Sequence, residues 1–284
     1  MAHGTPSSID QLPEYLKLVR GGRPPTPELV EEMRHNYRAI GGSSPLTDIT
    51  LAQAAALRDR LGPSVPVAVG MRNWRPFIKD ALIELGGAGV ERVIGIPMAP
   101  QFSTLSVQKY VDAATTALPA GVELEAVQSF HAHPMLIEAF AERVRAATPR
   151  PDELVIFTAH SLPVRVIEAG DGYADEVNHT AHLVAARTGV TRYRQAFQSA
   201  GRTPEPWMGP AIEKVIDDES GNGCRKFLVA PIGFVCDHTE VLFDIDIQAA
   251  GTAREFAASL RRTESLNTSP AFVSLLEELA RSRL

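Results

Sequence analysis

The chain has 284 residues, of which 44% are hydrophobic and 22% are charged, a composition typical of a globular protein with one large domain or two medium-sized ones. Its net charge is −6 and it contains no dense block of Lys and Arg, which argues against nucleic-acid binding. No apolar run approaches the roughly 20 residues that span a bilayer, and residues 1–10 lack the regions of a signal peptide. We therefore expect a cytoplasmic protein without a transmembrane segment, and a monomer by default.

Short apolar runs alternate with helical patterns along most of the chain. The candidate strands are residues 65–70, 92–98, 122–128, 154–159, 193–197 and 227–231. These runs are continuously apolar, as expected for parallel strands covered on both faces. The β-α-β order predicts right-handed crossovers and an α/β fold with doubly wound parallel sheets.

A proline-rich stretch near the middle of the chain, AATPRPD at 146–152, is interpreted as a hinge. It predicts two Rossmann-like halves, 1–146 and 152–284, that face each other across a cleft. MAHGTP at 1–6 is typical of the carboxyl end of a strand, where ligands of α/β sheets bind. No strand precedes it in this sequence. We therefore expect that the first strand is truncated and that the sequence starts about ten residues late.

Three segments carry candidate chemistry. In FTAHSLP at 157–163, an apolar strand ends at His160, at the sheet edge where α/β catalytic groups are mounted. The alternative is a core histidine hydrogen-bonded to a main-chain carbonyl. In PIGFVCDHTEVLFDID at 231–246, Glu240 and Asp244 recur with helical spacing, together with Gln248, and predict a row of oxygen ligands on one helix face. The alternative there is a solvated face.

The third segment, NYRAIGGSSPL at 36–46, ends a helix at a glycine pair followed by Ser-Ser-Pro. Such a loop can offer main-chain N–H groups and hydroxyls to an anion, although it also marks ordinary turns. His179 and His182 are three positions apart on a predicted helix and could bind metal, but we favour an exposed helix face. We interpret His131 and His133 as loop residues.

Together these segments resemble the ferrochelatase family. MAHGTP, APQFSTLSVQKY at 99–110 and FQSAGRTPEPWMGP at 197–210 match as well, so the resemblance covers nearly the whole chain in the family's order. It implies a chelatase-like fold with a porphyrin cleft between the halves, and an enzyme that inserts ferrous iron into a porphyrin in haem biosynthesis. Iron and porphyrin are then substrates, and no prosthetic group is expected. The two cysteines, Cys224 and Cys236, are too few for a self-contained iron–sulfur cluster.

The resemblance also assigns roles to individual residues. His160 and Glu240 would contact iron at the porphyrin centre, and Asp244 would lie on an outer metal path. His3 stands where a soluble bacterial member has a tyrosine that ligates iron axially, so His3 is a possible axial ligand. The residues implied to line the porphyrin or hold its propionates are Arg20, Asn36, Tyr37, Ser44 and Tyr110.

This chain departs from the family at Gln248, where relatives carry a glutamate, and at Asn36 and Asn73. These departures predict a weakened outer cation site. A neutral imidazole suits both proton transfer near neutral pH and ferrous iron. We therefore hypothesise that His160 accepts a proton and first ligates iron, while Glu240 guides the metal. The sequence leaves open which of the two handles metal and which handles protons.

Two alternatives remain at this point: a non-catalytic porphyrin or haem carrier, and a sirohydrochlorin cobalt or nickel chelatase of the same fold. The second lacks the pairing of FTAHSLP with GFVCDHTEVL, and a carrier needs only one axial ligand. Of the possible porphyrins, the compact form of the chain favours coproporphyrin III, with protoporphyrin IX as the competing candidate.

Overall fold

Two parallel β-sheets form the centre of the fold in the computed structural model, which describes residues 1–201 and 203–284. The first sheet pairs β1 (Arg92–Gly95) with β2 (Glu123–Ala126). The second has the order β4-β3-β5-β6, and its strands are β3 (Leu154–His160), β4 (Tyr193–Gln198), β5 (Lys226–Pro231) and β6 (Ser259–Arg262). All pairings are parallel, so the carboxyl ends of the strands in each sheet share one edge.

Helices connect and cover the strands. Before β1 they are α1 (Leu12–Val19), α2 (Pro27–Ala39), α3 (Leu46–Leu61) and α4 (Ile78–Gly87). Between β1 and β4 they are α5 (Val107–Ala117), α6 (Pro134–Ala146), α7 (Val164–Glu168) and α8 (Tyr173–Thr188). The remaining helices are α9 (Ile212–Gly221), α10 (Thr239–Leu242), α11 (Ala250–Glu255) and α12 (Pro270–Arg281), with a π-helix at Asp244–Ala249. None of the described helices is long and apolar enough to cross a membrane.

The predicted strand at 65–70 is wrong: the structure has no regular strand there. Ala2 donates to the Gly70 carbonyl and accepts from Arg72, while the Met1 amino group donates to Ile96. These two residues thus bridge residues 70–72 and the segment that follows β1. Behind them is an apolar cavity of about 120 Å³ lined by Met1, Val67, Val69, Val93 and Gly95, among others. A strand forms only where a neighbouring main chain pairs with it, and residues 65–69 make no such ladder. The truncation of a first strand stays a prediction.

The sequence analysis missed β6 because its residues, Ser-Leu-Arg-Arg, are polar. β6 is an edge strand that pairs with β5 alone. Edge strands commonly carry charges that discourage further pairing, so they lack the continuous apolar signature of β3, in which every residue from Leu154 to Ala159 is buried.

One large hydrophobic core extends across the predicted hinge. It contains Leu57 of α3, Phe140 of α6, Phe157 of β3, Leu228 of β5 and Leu276 of α12. Helix α12 follows the second sheet in sequence but packs against α3 and α6. A serine cap begins it, since the Ser269 hydroxyl accepts from the Phe272 N–H. The division into halves 1–146 and 152–284 stays a prediction.

Candidate active site

His160 is the last residue of β3, at the carboxyl edge of the second sheet. It pairs in register with Gln198 of β4, and the Ser161 N–H still donates to the Gln198 carbonyl just beyond the end of the strand. The His160 Nδ1 hydrogen-bonds to the Ser161 carbonyl, which orients the Nε2 atom away from the main chain. The ring is partly exposed, with 31% of the side chain accessible, so it can meet a ligand.

Glu240 enters the same site from α10, which follows β5 through the loop 232–238. That loop crosses β3 closely: a Cβ atom on Gly233 would lie 2.7 Å from the Ala159 Cα, so only glycine fits. Gln198 Nε2 donates to the Glu240 carbonyl at 2.6 Å. The end of β4 therefore positions the helix that carries the carboxylate.

The His160 Nε2 and a Glu240 carboxylate oxygen are 3.6 Å apart. Burial alone would lower the pKa of His160, but the Glu240 carboxylate and the Ser161 carbonyl outweigh it and raise the pKa to about 9. Burial would raise the pKa of Glu240, but His160 and then His238 hold it well below its usual value. At neutral pH the ligand-free pair is therefore an imidazolium and a carboxylate.

His238 is a site residue that the sequence analysis missed. Its Nε2 lies 3.6 Å from the same Glu240 oxygen, and its Nδ1 hydrogen-bonds to the Cys236 carbonyl at 3.0 Å. A carbonyl partner requires a proton on Nδ1, so Nε2 is the ring nitrogen that faces the carboxylate. The sequence signal that could have identified His238 is its position two residues before Glu240, in Asp-His-Thr-Glu.

Asp244 begins the π-helix, one turn beyond Glu240. Burial, followed by the charge of Glu240, raises its pKa to about 7, although the hydrogen bond from the Ser199 hydroxyl opposes this shift. The predicted row of oxygen ligands does not continue to Gln248 in this structure, because the Gln248 amide donates to Glu213 of α9 at 2.8 Å. The geometry thus combines Glu240 and Asp244 but directs Gln248 to another helix.

His3 lies near the same pair, since Glu240, His238 and His160 all influence its pKa. Burial lowers the pKa of His3 to about 4, so the ring is neutral at pH 7. Its Nε2 is 3.0 Å from the Tyr15 hydroxyl, and the Asn73 amide lies 3.2 Å from its Nδ1. Tyr15 and Asn73 therefore both hold the His3 ring by hydrogen bonds.

Comparisons with known proteins identify the family of this chain. A family model described as Ferrochelatase matches residues 1–284. The ferrochelatase of Deinococcus radiodurans is 42% identical over 290 aligned positions, 97% of this chain and 92% of that protein. The chain belongs to the ferrochelatase family. The coproporphyrin III ferrochelatase of Geobacillus sp. (strain WCH70) is 35% identical, covering 100% of this chain and 96% of that protein.

Among solved structures, SirB from Bacillus subtilis with Fe³⁺ aligns with a TM-score of 0.61 and 12% identity, over 83% of this chain and 88% of that chain. That likeness confirms the predicted chelatase-like α/β fold and shows the fold alone. The predicted activity is confirmed by family: the chain is an enzyme of haem biosynthesis that inserts ferrous iron into a porphyrin. The sirohydrochlorin and carrier alternatives have no comparable support.

Two tyrosines implied to line the porphyrin of this ferrochelatase lie within the electrostatic reach of Glu240. Tyr37 of α2 is 1% exposed, and burial raises its pKa to about 12. Tyr110 of α5 is also buried, and burial raises its pKa further. Both hydroxyls are therefore neutral, so they can donate hydrogen bonds without adding charge beside the metal pair.

The other three implied porphyrin residues, Arg20, Asn36 and Ser44, make no hydrogen bond to His160 or Glu240 among the described residues. Arg20 follows α1, and its Nε atom is buried without a partner. The hydroxyl of Ser44, in the loop before α3, is likewise buried and unpaired. Asn36 is half-buried near the end of α2. Unpaired buried donors are costly, so no contact within the described residues accounts for these two atoms.

Arg72 and Asp171 were not singled out from the sequence. Arg72 lowers the pKa of His3, which shows a cation beside the cleft. The Asp171 carboxylate accepts from the Thr104 N–H at 2.6 Å and from the Thr104 hydroxyl at 2.7 Å. It thereby holds the loop that leads into α5 and Tyr110. Arg202, within FQSAGRTPEPWMGP, lies outside the described residues.

Proposed function

We propose that this chain inserts ferrous iron into coproporphyrin III, with Glu240 as the entry ligand for the metal and His160 as the principal proton acceptor. The observation that carries the proposal is the His160–Glu240 pair, 3.6 Å apart at the carboxyl edge of the sheet. Asp244, one turn further along the chain, extends the acidic surface towards the outside of the pair and supports an outer metal path.

The charge state of the pair supports this order of events. An imidazolium does not bind iron, so the carboxylate receives Fe²⁺ first. A metal on Glu240 removes the negative charge that stabilises the His160 proton, and burial then favours the neutral ring. The deprotonated His160 can accept a pyrrole N–H proton. This order replaces the sequence-based hypothesis that His160 is the first iron ligand.

The net reaction releases two protons. Each of two pyrrole N–H bonds breaks, the electron pairs form Fe–N bonds, and both protons leave for protein groups or solvent. His160 accepts one proton. The Nε2 of His238, whose Nδ1 is committed to the Cys236 carbonyl, is placed to accept the other. His3 supplies a neutral imidazole as the possible axial ligand, after one of its hydrogen bonds with Tyr15 or Asn73 breaks.

Coproporphyrin III carries four propionates, so it needs more anion contacts than protoporphyrin IX. The unpaired Nε of Arg20 and hydroxyl of Ser44, with Asn36 nearby on α2, support this assignment. The 35% identical Geobacillus relative, a coproporphyrin III ferrochelatase, supports it as well. Neutral Tyr37 and Tyr110 would line the ring. We further propose a cytoplasmic monomer without a prosthetic group, consistent with the free, buried thiols of Cys224 and Cys236.

An anaerobic assay with Fe²⁺ and both porphyrins in one tube tests the proposal. We expect metallated coproporphyrin III to form with the higher kcat/KM, and His160→Ala to form no product while still binding porphyrin. Equal or faster metallation of protoporphyrin IX would reject the substrate assignment. Porphyrin binding without any metallated product in the parent chain would instead indicate a carrier.

A further inference from the structure

His131 and His179, far apart in sequence, meet on the surface away from the His160–Glu240 pair. His131 lies in the loop between β2 and α6, and His179 lies on α8. The His131 Nε2 and His179 Nδ1 atoms are 3.2 Å apart, with ring centroids 5.3 Å apart. His179 is exposed and His131 is half-buried. The sequence analysis had considered His179 only with His182.

Glu176 and Ser129 determine which ring nitrogen of His131 carries the proton. Its Nδ1 lies 3.2 Å from a Glu176 carboxylate oxygen and 2.8 Å from the Ser129 hydroxyl. An ionised carboxylate only accepts, so the neutral ring carries its proton on Nδ1 and presents a lone pair on Nε2. Burial lowers the pKa of His131, which favours this neutral form.

Glu176 is itself held rigidly. The same oxygen accepts from the Phe102 N–H at 2.7 Å and from the Ser129 hydroxyl at 2.7 Å. A carboxylate that orients a histidine through one ring nitrogen, leaving the other free, is the arrangement that supports metal-ligating histidines. The Glu176–His131 pair therefore presents a fixed lone pair towards His179.

We propose that His131 and His179 bind one divalent transition-metal ion of the Zn²⁺ type, with water completing its coordination. Two nitrogens at zinc distance and tetrahedral angle are about 3.3 Å apart, close to the 3.2 Å observed. No group of three His, Cys, Asp or Glu side chains in the described part of the chain is placed to hold a metal, so the site has two protein ligands. The bound ion would link the loop after β2 to α8.

Neighbouring histidines do not share this arrangement. The His133 Nδ1 accepts from the Met135 N–H at the start of α6, so it is occupied as a helix cap. His182 is exposed on α8, three residues beyond His179, and hydrogen-bonds to neither member of the pair in the described structure. His182 is therefore the matched control for a histidine on the same helix.

Zinc titration of the full chain by calorimetry tests the proposal, in a His160→Ala, Glu240→Ala background that removes the metal pair of the cleft. We expect one Zn²⁺ per chain, with His179→Gln and His131→Asn each weakening binding at least tenfold and His182→Gln leaving it unchanged. Circular dichroism and thermal unfolding of each variant check the fold. Absence of binding in the background would overturn the proposal and leave an imidazole–imidazole hydrogen bond. Binding that His179→Gln leaves unchanged would overturn it as well.

Discussion

The His160 imidazole and the Glu240 carboxylate each stabilise the charge on the other, across 3.6 Å at the end of β3. Burial opposes both charges, so removing either partner would shift the pKa of the other towards its neutral form. The protonation state of His160 therefore depends on what is bound to Glu240.

Glu240→Gln is expected to lower the pKa of His160 from about 9, because burial is then opposed only by the Ser161 carbonyl and the more distant charge of Asp244. An NMR titration of the His160 ring measures this directly. Asp246→Asn is the control, since Asp246 lies on the adjacent π-helix but pairs with Arg262. A His160 pKa that stays near 9 in Glu240→Gln would show that the ion pair is not its cause.

The same pair makes the stability of the ligand-free protein depend on pH. The folded-state pKa of His160 is raised above its unfolded value, so the pair contributes in full below about pH 6.5 and its contribution is lost as pH rises through 9. Chemical unfolding at pH 6.5 and 9.5 should show a larger decrease in the free energy of unfolding for the parent than for Glu240→Gln.

The charge of Asp244 should determine kcat/KM for Fe²⁺, which is measured at limiting metal concentration. Its pKa of about 7 means that it gains negative charge between pH 6 and 8, so kcat/KM for Fe²⁺ should rise over that range. Asp244→Asn should remove this inflection and lower kcat/KM at pH 8 by about tenfold, equivalent to ~1.4 kcal/mol. Initial rates at limiting Fe²⁺ measure the effect, and an inflection that persists in the variant would contradict it.

Arg20→Gln should weaken porphyrin binding. Its buried, unpaired Nε is suited to a charge-assisted hydrogen bond, whose loss costs about 1.5–3 kcal/mol. We expect the porphyrin KM to rise about 10- to 100-fold with kcat nearly unchanged. Arg23→Gln, an exposed neighbour in the same turn, is the control. A fall in kcat at constant KM would place Arg20 in another role.

Gly233→Ala should disturb both the fold and the site. The added Cβ would lie 2.6 Å from the Ala159 Cβ and 2.7 Å from its Cα, so β3 or the loop must shift beside His160. Overpacking of this kind costs about 1–3 kcal/mol, measured by urea unfolding, and iron insertion should fall with it. Gly221→Ala, which would meet nothing within 4 Å, should leave both nearly unchanged.

The parts of this molecule that were predictable from sequence are those with a strong local signature. β3 is continuously apolar, and His160 stands where it stops. Residues 65–70 have the same signature but lack the neighbouring main chain that a strand requires. Polar β6 has no such signature, because an edge strand is defined by its partner β5.

Contacts between distant segments account for most of what sequence reasoning missed in the site. His131 and His179 are separated by 48 positions, so neither suggested the other. His238 shares a motif with Glu240, but its role depends on the Cys236 carbonyl, which fixes its tautomer. Gln248 had the right helical spacing, yet Glu213 of another helix takes its amide. Spacing along one helix predicts neighbours on that helix and not those from other elements.

Helix α12 has a consequence for biosynthesis on the ribosome. Leu275, Leu276 and Leu279 belong to the core that also contains Leu57 and Leu61 of α3. The core around α3 therefore stays incomplete until residues 270–281 have left the exit tunnel, although α3 itself emerges early.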